Sequence, residues 1–270
     1  MEIIKYAFFQ KALVACVLSG IACGIIGVWV VVMRISFIGV SISHSAFAGS
    51  LLAILIKKPV QLFSFIFTLI TSSILGPFSD RTQLHPETSM GIIFSLTLGL
   101  SFLFLGLIPE SKSEALNYMW GSILTVDILD IYFLFAITIF VFFFDFLFFR
   151  EIKALLFNRE LAKANGFYST IFFYLILYIL GLSITFLLKI VGGLLVYALI
   201  VNPASSAYQI TYNIKKMFFL SVIFGILSTI SGLFISSTLN IPTGASIILF
   251  SGLLFVFCFL FSPKRRKNEK

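Results

Sequence analysis

The sequence predicts an all-α polytopic membrane protein, a bundle of about nine transmembrane helices. Of its 270 residues, 60% are apolar, 11% are charged and 34 are Phe. A soluble domain carries about 45–50% apolar and about 25% charged residues, so this chain has too few charges to cover a water-facing surface. The apolar residues fall into runs near the roughly 20 residues that a helix needs to cross the hydrocarbon core. The strict apolar–polar alternation of a membrane β-barrel is absent. A water-soluble enzyme is thereby excluded.

The runs cover residues 12–33, 35–56, 60–78, 89–108, 128–149, 167–188, 191–210, 217–239 and 244–261. The first carries Gly20 and Gly24, a GxxxG that lets helix backbones approach in lipid. The second carries a stripe of Ser41, Ser45 and Gly49 around His44. The fifth opens on Asp127 and Asp130, carboxylates suited to a helix N-terminus. The seventh is interrupted by Gly192-Gly193 and by Asn202-Pro203, where proline removes a backbone hydrogen bond and kinks a helix. The eighth has small residues at Ser221 and Gly225 and again at Ser228 and Gly232. Pro242-Thr243-Gly244 opens the ninth. Internal packing is the economical reading of the small stripes; a seam between copies or a pathway lining is the sharper one. The whole chain, residues 1–270, reads as one transmembrane domain with a polar cytoplasmic segment at 150–166.

Orientation follows from Lys and Arg, which gather on cytoplasmic loops. With nine spans, one side holds Arg34, Arg81, Arg150, Lys153, Arg159, Lys163, Lys215, Lys216 and five tail residues; the other holds Lys5, Lys11, Lys57, Lys58, Lys112 and Lys189. This bias places the C-terminus and residues 150–166 in the cytoplasm. The net charge of +8 is explained in the same way, so nucleic acid is not an expected partner, whereas membrane lipid is. Within 150–166, Asn158 suits an N-cap, Glu160 the first turn and Gly166 a left-handed C-terminus. A short amphipathic helix there could lie on the membrane or dock into a soluble partner.

His44 is the chief candidate for chemistry. An ionisable side chain well inside a span is costly and marks function by default, and imidazole ligates borderline transition metals. Ser41 and Ser45 flank it at helical spacing as candidate pathway residues. Asn202, at the broken seventh run, joins them. The bland alternative for His44 is a hydrogen bond to a neighbouring helix. His85 reads as a loop residue. Asp145 reads as a local partner of Arg150 or as snorkelling toward water. Cys16, Cys23 and Cys258 lie in apolar runs and read as packing residues. No GxxxxGK[ST] loop is present, so the chain does not hydrolyse ATP itself.

Taken in order, the motifs resemble those of the permease subunit of bacterial ABC importers for zinc, manganese and iron ions. They are Arg34-Ile35-Ser36-Phe37-Ile38-Gly39, then Ser43-His44-Ser45-Ala46-Phe47-Ala48-Gly49, Met90-Gly91-Ile92-Ile93-Phe94 and Gly121-Ser122-Ile123-Leu124. Val191-Gly192-Gly193-Leu194-Leu195-Val196 with Pro203-Ala204 follows, and Pro242-Thr243-Gly244-Ala245 closes the set. The resemblance implies a fold similar to the cobalamin and siderophore permeases. It also implies a homodimeric pore in the bacterial cytoplasmic (inner) membrane, two separate ATPase subunits and an extracytoplasmic metal-binding protein. In it, Asn158, Glu160, Leu161, Ala162 and Gly166 belong to the coupling segment that meets the ATPase. His44 would be a transient ligand of the transported divalent ion, with no resident cofactor. Two positions depart from the family. The Asp usually found four residues before the histidine is Val40, and a second acidic place, before Pro242, is Asn240. Both departures favour an alternative, a permease for a chelate or another small solute. A non-transporting membrane scaffold is the reading from another class.

Overall fold

The computed structural model describes residues 6–81, 86–109 and 126–264, with positions 118, 121 and 123. His85 and the basic tail 265–270 lie outside the described residues. The long elements are α1 (Ala7–Val32), α2 (Phe37–Leu55), α3 (Val60–Arg81), α4 (Pro86–Leu107) and α5 (Ile128–Leu147). Two short helices follow, α6 (Phe149–Phe157) and α7 (Arg159–Ala164). Then come α8 (Ser169–Val191), α9 (Gly193–Ile210), α10 (Ile214–Leu239) and α11 (Thr243–Leu260). No strand occurs among the described residues.

Eight of these helices are long and apolar enough to cross a membrane. The seventh expected run also folds as a helix, the 18-residue α9. Its second half carries Asn202, Pro203, Ser205, Ser206 and Gln209, and this polar content separates it from the other eight. The polar stretch at 150–166 contributes two helices, not one. Phe148 closes α5, its N–H bonding to the Phe144 carbonyl at 3.0 Å, and α6 then buries Ile152, Leu155 and Leu156.

The chain forms two compact units, each built from separated stretches. The first comprises residues 1–31, 122–149 and 198–270. Its α1 and α10 meet along small residues. A Cβ added at Gly20 would stand 2.7–2.8 Å from the backbone of Gly225 and Ile226, and one at Gly24 equally close to Ser221 and Val222. Only glycine permits that approach. The Ser221 hydroxyl donates to the Gly24 carbonyl at 2.7 Å, and Thr229 donates to the Cys16 carbonyl at 2.9 Å. In lipid no hydrophobic force drives helices together, so such close backbone contacts and hydroxyl–carbonyl bonds do that work. The GxxxG and the Ser221/Gly225 stripe are therefore internal packing. Gly232 packs in the same manner on Ile247 of α11.

The expected partner of Asp145 is corrected in this unit. The Trp29 indole Nε1 donates to Asp145 Oδ1 at 2.9 Å, linking α1 to α5. Arg150 instead lies over the Phe167 ring at 5.7 Å. A contact with Arg150 satisfies sequence proximity alone, whereas the indole offers a buried donor where water is scarce. Asp127 and Asp130 do cap α5, the Asp127 N–H donating to the Asp130 carboxylate at 3.2 Å. At the far end, the Ser262 hydroxyl donates to the Gln209 carbonyl at 2.8 Å. Lys264 lies over the rings of Tyr208 and Tyr212 at 3.5 and 4.8 Å, and burial there pushes its ammonium below the usual lysine range.

The second unit comprises residues 32–121 and 150–197, with α2 packed against α3, α4 and α8. The Ser45 hydroxyl meets α3 through the Phe67 carbonyl at 2.9 Å and the Thr71 hydroxyl at 2.6 Å. Further along α3, Thr68 and Thr185 share a bond at 3.1 Å, and Ser72 donates to the Leu177 carbonyl at 3.1 Å. These bonds join α3 to α8. Phe47, Leu51 and Ile108 form a buried apolar cluster with Phe104 and Tyr118.

Two substitutions test this packing. Gly24→Leu forces α1 from α10 and should lower stability by about 1–3 kcal/mol, as overpacking does. Trp29→Phe leaves the Asp145 carboxyl without its donor and should cost about 1–3 kcal/mol. Thermal unfolding of the detergent-purified protein reads both losses.

Candidate functional site

His44 is the eighth residue of α2, and its ring is half-buried. It stands edge-on to Phe94 of α4, with centroids 4.9 Å apart. Its Nδ1 is buried and has no hydrogen-bond partner. The expected neighbours behave differently. Ser41 is fully buried and donates to the Met90 carbonyl at 3.0 Å, while Ser45 is committed to α3. Ser43 donates back to the Gly39 carbonyl at 2.7 Å. Of the polar side chains in this stripe, the imidazole alone keeps an unused polar atom. An unsatisfied buried nitrogen costs free energy, so a ligand or water that supplied the missing partner would be favoured there.

The start of α9 lies beside the same stretch of α2. A Cβ on Gly39 would meet the Tyr197 ring at 3.6 Å, and one on Gly193 would meet the Ser43 carbonyl at 3.9 Å. The placement depends on Gly192, whose φ of 90° closes α8 and lets α9 restart at the next residue. The Gly192 N–H bonds to the Leu188 carbonyl at 2.9 Å, and its own carbonyl accepts from Val196 at 3.0 Å. A side chain at that φ would be strained.

Asn202 belongs to the other unit. Its amide donates to the Ser251 hydroxyl at 2.9 Å, tying α9 to α11. Asn240, where the family usually has an acid, closes α10 in the left-handed conformation with φ 53°. Asparagine tolerates that conformation. The Ile241 N–H bonds to the Ser236 carbonyl at 3.3 Å, and the Ser236 hydroxyl donates to the Ile241 carbonyl at 2.7 Å. Val40, one turn before His44, offers no donor atom to a cation. Among the described residues no group of three or more His, Cys, Asp or Glu side chains converges.

The candidate coupling segment is tightly built. The Asn158 side chain accepts from the N–H groups of Glu160 and Leu161 at 2.9 and 3.0 Å. At the other end Gly166 adopts φ 79°. Its N–H bonds to the Lys163 carbonyl and that of Phe167 to the Ala162 carbonyl, each at 3.1 Å. This pair of bonds is the Schellman closure. Ala162 is buried, Glu160 and Leu161 are exposed, and Arg159 lies over the Phe173 ring of α8 at 4.4 Å. Phe157 was not foreseen. It is 85% exposed, directly before the cap. An aromatic directly before an N-cap was the available signal.

Residues 5–262 match the ABC 3 transport family. The chain belongs to that family. This ABC 3 protein is 29% identical over 264 residues to the manganese transport system membrane protein MntC of Halalkalibacterium halodurans, covering 98% of this chain and 90% of that one. It is also 29% identical over 265 residues to the manganese import system permease protein ScaB of Streptococcus parasanguinis, with coverage of 98% and 94%. Among solved structures, PsaBC from Streptococcus pneumoniae in complex with Fab superposes with a TM-score of 0.88 at 27% identity, covering 100% of this chain and 98% of that one. An inward-facing metal-chelate type ABC transporter shares the fold, with a TM-score of 0.79 at 16% identity over 96% and 87% of the two chains. The ABC 3 chain is accordingly a multi-pass membrane component of a transporter, a permease and not an enzyme.

The cap gives a direct test. Asn158→Ala should cost α7 about 1 kcal/mol, seen as faster backbone hydrogen exchange at residues 159–164 with exchange in α2 unchanged.

Proposed function

We propose that this chain is the membrane-spanning permease of an ABC importer for a divalent transition-metal ion, manganese first. The observation that carries the reading is the unpartnered imidazole nitrogen of His44, inside a span whose other polar groups are satisfied. The names of the relatives, both manganese transport proteins, support manganese over zinc or iron. His44 acts as a transient ligand to the cargo ion. One imidazole with no carboxylate one turn away holds a cation weakly, and weak sites suit passage because the ion must also leave. Further donors come from a second copy of the chain in a homodimer and from water on the ion. Ser41 and Ser45 form the wall that orients the histidine, and Asn202 holds the kinked α9. Residues 1–270 act as one permease domain in the bacterial cytoplasmic membrane, with the C-terminus in the cytoplasm.

The power source is a pair of separate ATPase subunits, and an extracytoplasmic metal-binding protein delivers the ion. The exposed Phe157 at the end of α6, with Glu160 and Leu161 on the capped, clamped α7, presents an aromatic, a carboxylate and an aliphatic side chain. Asn158, Ala162 and Gly166 fix the shape of α7. Aromatic anchors of this kind dominate the energy of protein interfaces.

A second reading has specific support. Val40 supplies no ligand, and the Asn240 backbone is engaged in closing α10, so both usual acidic places lack a carboxylate. A chelated metal would bring its own donors and need fewer from the protein.

Uptake of radiolabelled manganese into cells expressing the whole transporter separates these readings. His44→Ala should abolish uptake of the free ion while leaving membrane levels of the protein unchanged; normal uptake removes His44 from the pathway. Preference for chelated over free ion selects the second reading. Phe157→Asp with Leu161→Asp should release the ATPase subunits on purification and stop transport. Retained binding and transport would overturn the coupling assignment.

A further inference from the structure

α1 and α5 are joined at two levels. The Thr138 hydroxyl donates to the Leu18 carbonyl at 3.3 Å, and further along both helices Trp29 donates to Asp145. Toward the N-terminal ends the two helices instead flank an apolar groove of about 540 Å³. Leu13, Val14 and Val17 form one wall; Ile131, Tyr132 and Phe135 form the other, with Leu18 completing the lining. The open side is exposed at Val14, Tyr132 and Phe135.

The occupant must match greasy walls, a floor closed by the Leu18–Thr138 bond, and the charge at the mouth. Lys11, one turn before Val14 on α1, is the cation that the helix register brings to that mouth. It shares one helical stripe with Val14 and Leu18, at spacings of three and seven residues, and stands nearer the helix start. It forms no hydrogen bond or ion pair among the described residues. The carboxylates at the head of α5 are engaged in the cap of that helix. Tyr132 adds a ring of the kind that sits at headgroup level. A second copy of the chain fits poorly, because close helix pairing in lipid uses small residues and the small stripe of α1 is already packed on α10. We propose that the groove between α1 and α5 is a binding site for one acyl chain of an anionic phospholipid, its phosphate held by the Lys11 ammonium.

The test uses the assembled transporter in nanodiscs of phosphatidylethanolamine and phosphatidylglycerol. Either lipid in turn carries a photoreactive acyl chain, and labelled peptides are mapped by mass spectrometry. Labelling should concentrate on residues 13–18 and 131–135, with phosphatidylglycerol labelling these peptides several-fold more than phosphatidylethanolamine. Val17→Trp fills the groove and should remove the label several-fold, whereas Leu227→Trp, on an exposed part of α10, should leave it unchanged. Lys11→Gln should bring the two lipids to parity, and Lys11→Arg should keep the preference. Undiminished labelling in Val17→Trp overturns the site, as does equal loss in Leu227→Trp. Preference persisting in Lys11→Gln overturns the role of the lysine. Disulfide cross-linking of two copies through Val14→Cys would show that the chain itself covers the groove, and would also overturn the proposal.

Discussion

The long helices of this chain approach one another closely where a glycine lets backbone meet backbone, or where a hydroxyl reaches a carbonyl on the neighbouring helix. Hydrocarbon leaves no alternative: lipid tails are as apolar as leucine, so burying leucine between helices gains little. The Ser221–Gly24, Thr229–Cys16, Ser41–Met90 and Ser45–Phe67 bonds are instances of one solution. Each also satisfies a polar group that would otherwise be stranded in a dry interior. The side chains that hold the helices together and the one left with an unused polar atom in α2 are thus drawn from one small polar inventory.

That inventory explains why His44 stands apart. The serines on either side of it are consumed by packing, and its own Nδ1 is not. The residues present at positions 40 and 240 suit the local backbone. Val40 is an apolar residue on a half-buried face, and Asn240 occupies a left-handed cap where a small amide is at home. A single chain therefore offers few cation ligands beside His44, and in the proposed homodimer the second copy would supply others.

Much of the architecture was legible because spans announce themselves by length and apolarity, and because Asn158, Gly166, Asp127 and the Gly192-Gly193 pair have local meanings that survive in any tertiary context. Position along a helix was legible; direction around it was not. Ser41 and Ser45 share a stripe with His44 in the sequence, yet their hydroxyls turn to different neighbours, α4 and α3. Asp145 shows the same limit: its partner is 116 positions away, and only the packing of α1 on α5 brings the indole within reach. The first short helix, α6, was hidden because its apolar residues continue the run of Phe that precedes it.

The guanidinium of Arg159 resting on Phe173 fastens α7 to the first turns of α8. From there α8 runs 23 residues, a stiff rod about 34 Å long, and ends at Gly192 with no linker to absorb movement before α9 begins. Gly193, the next residue, lies against the α2 carbonyl that precedes His44. A push delivered at one surface of the membrane is therefore not dissipated in a flexible joint. It arrives as a displacement beside the histidine, so that, under the proposed function, the far end of a single helix would set when the path around residue 44 opens.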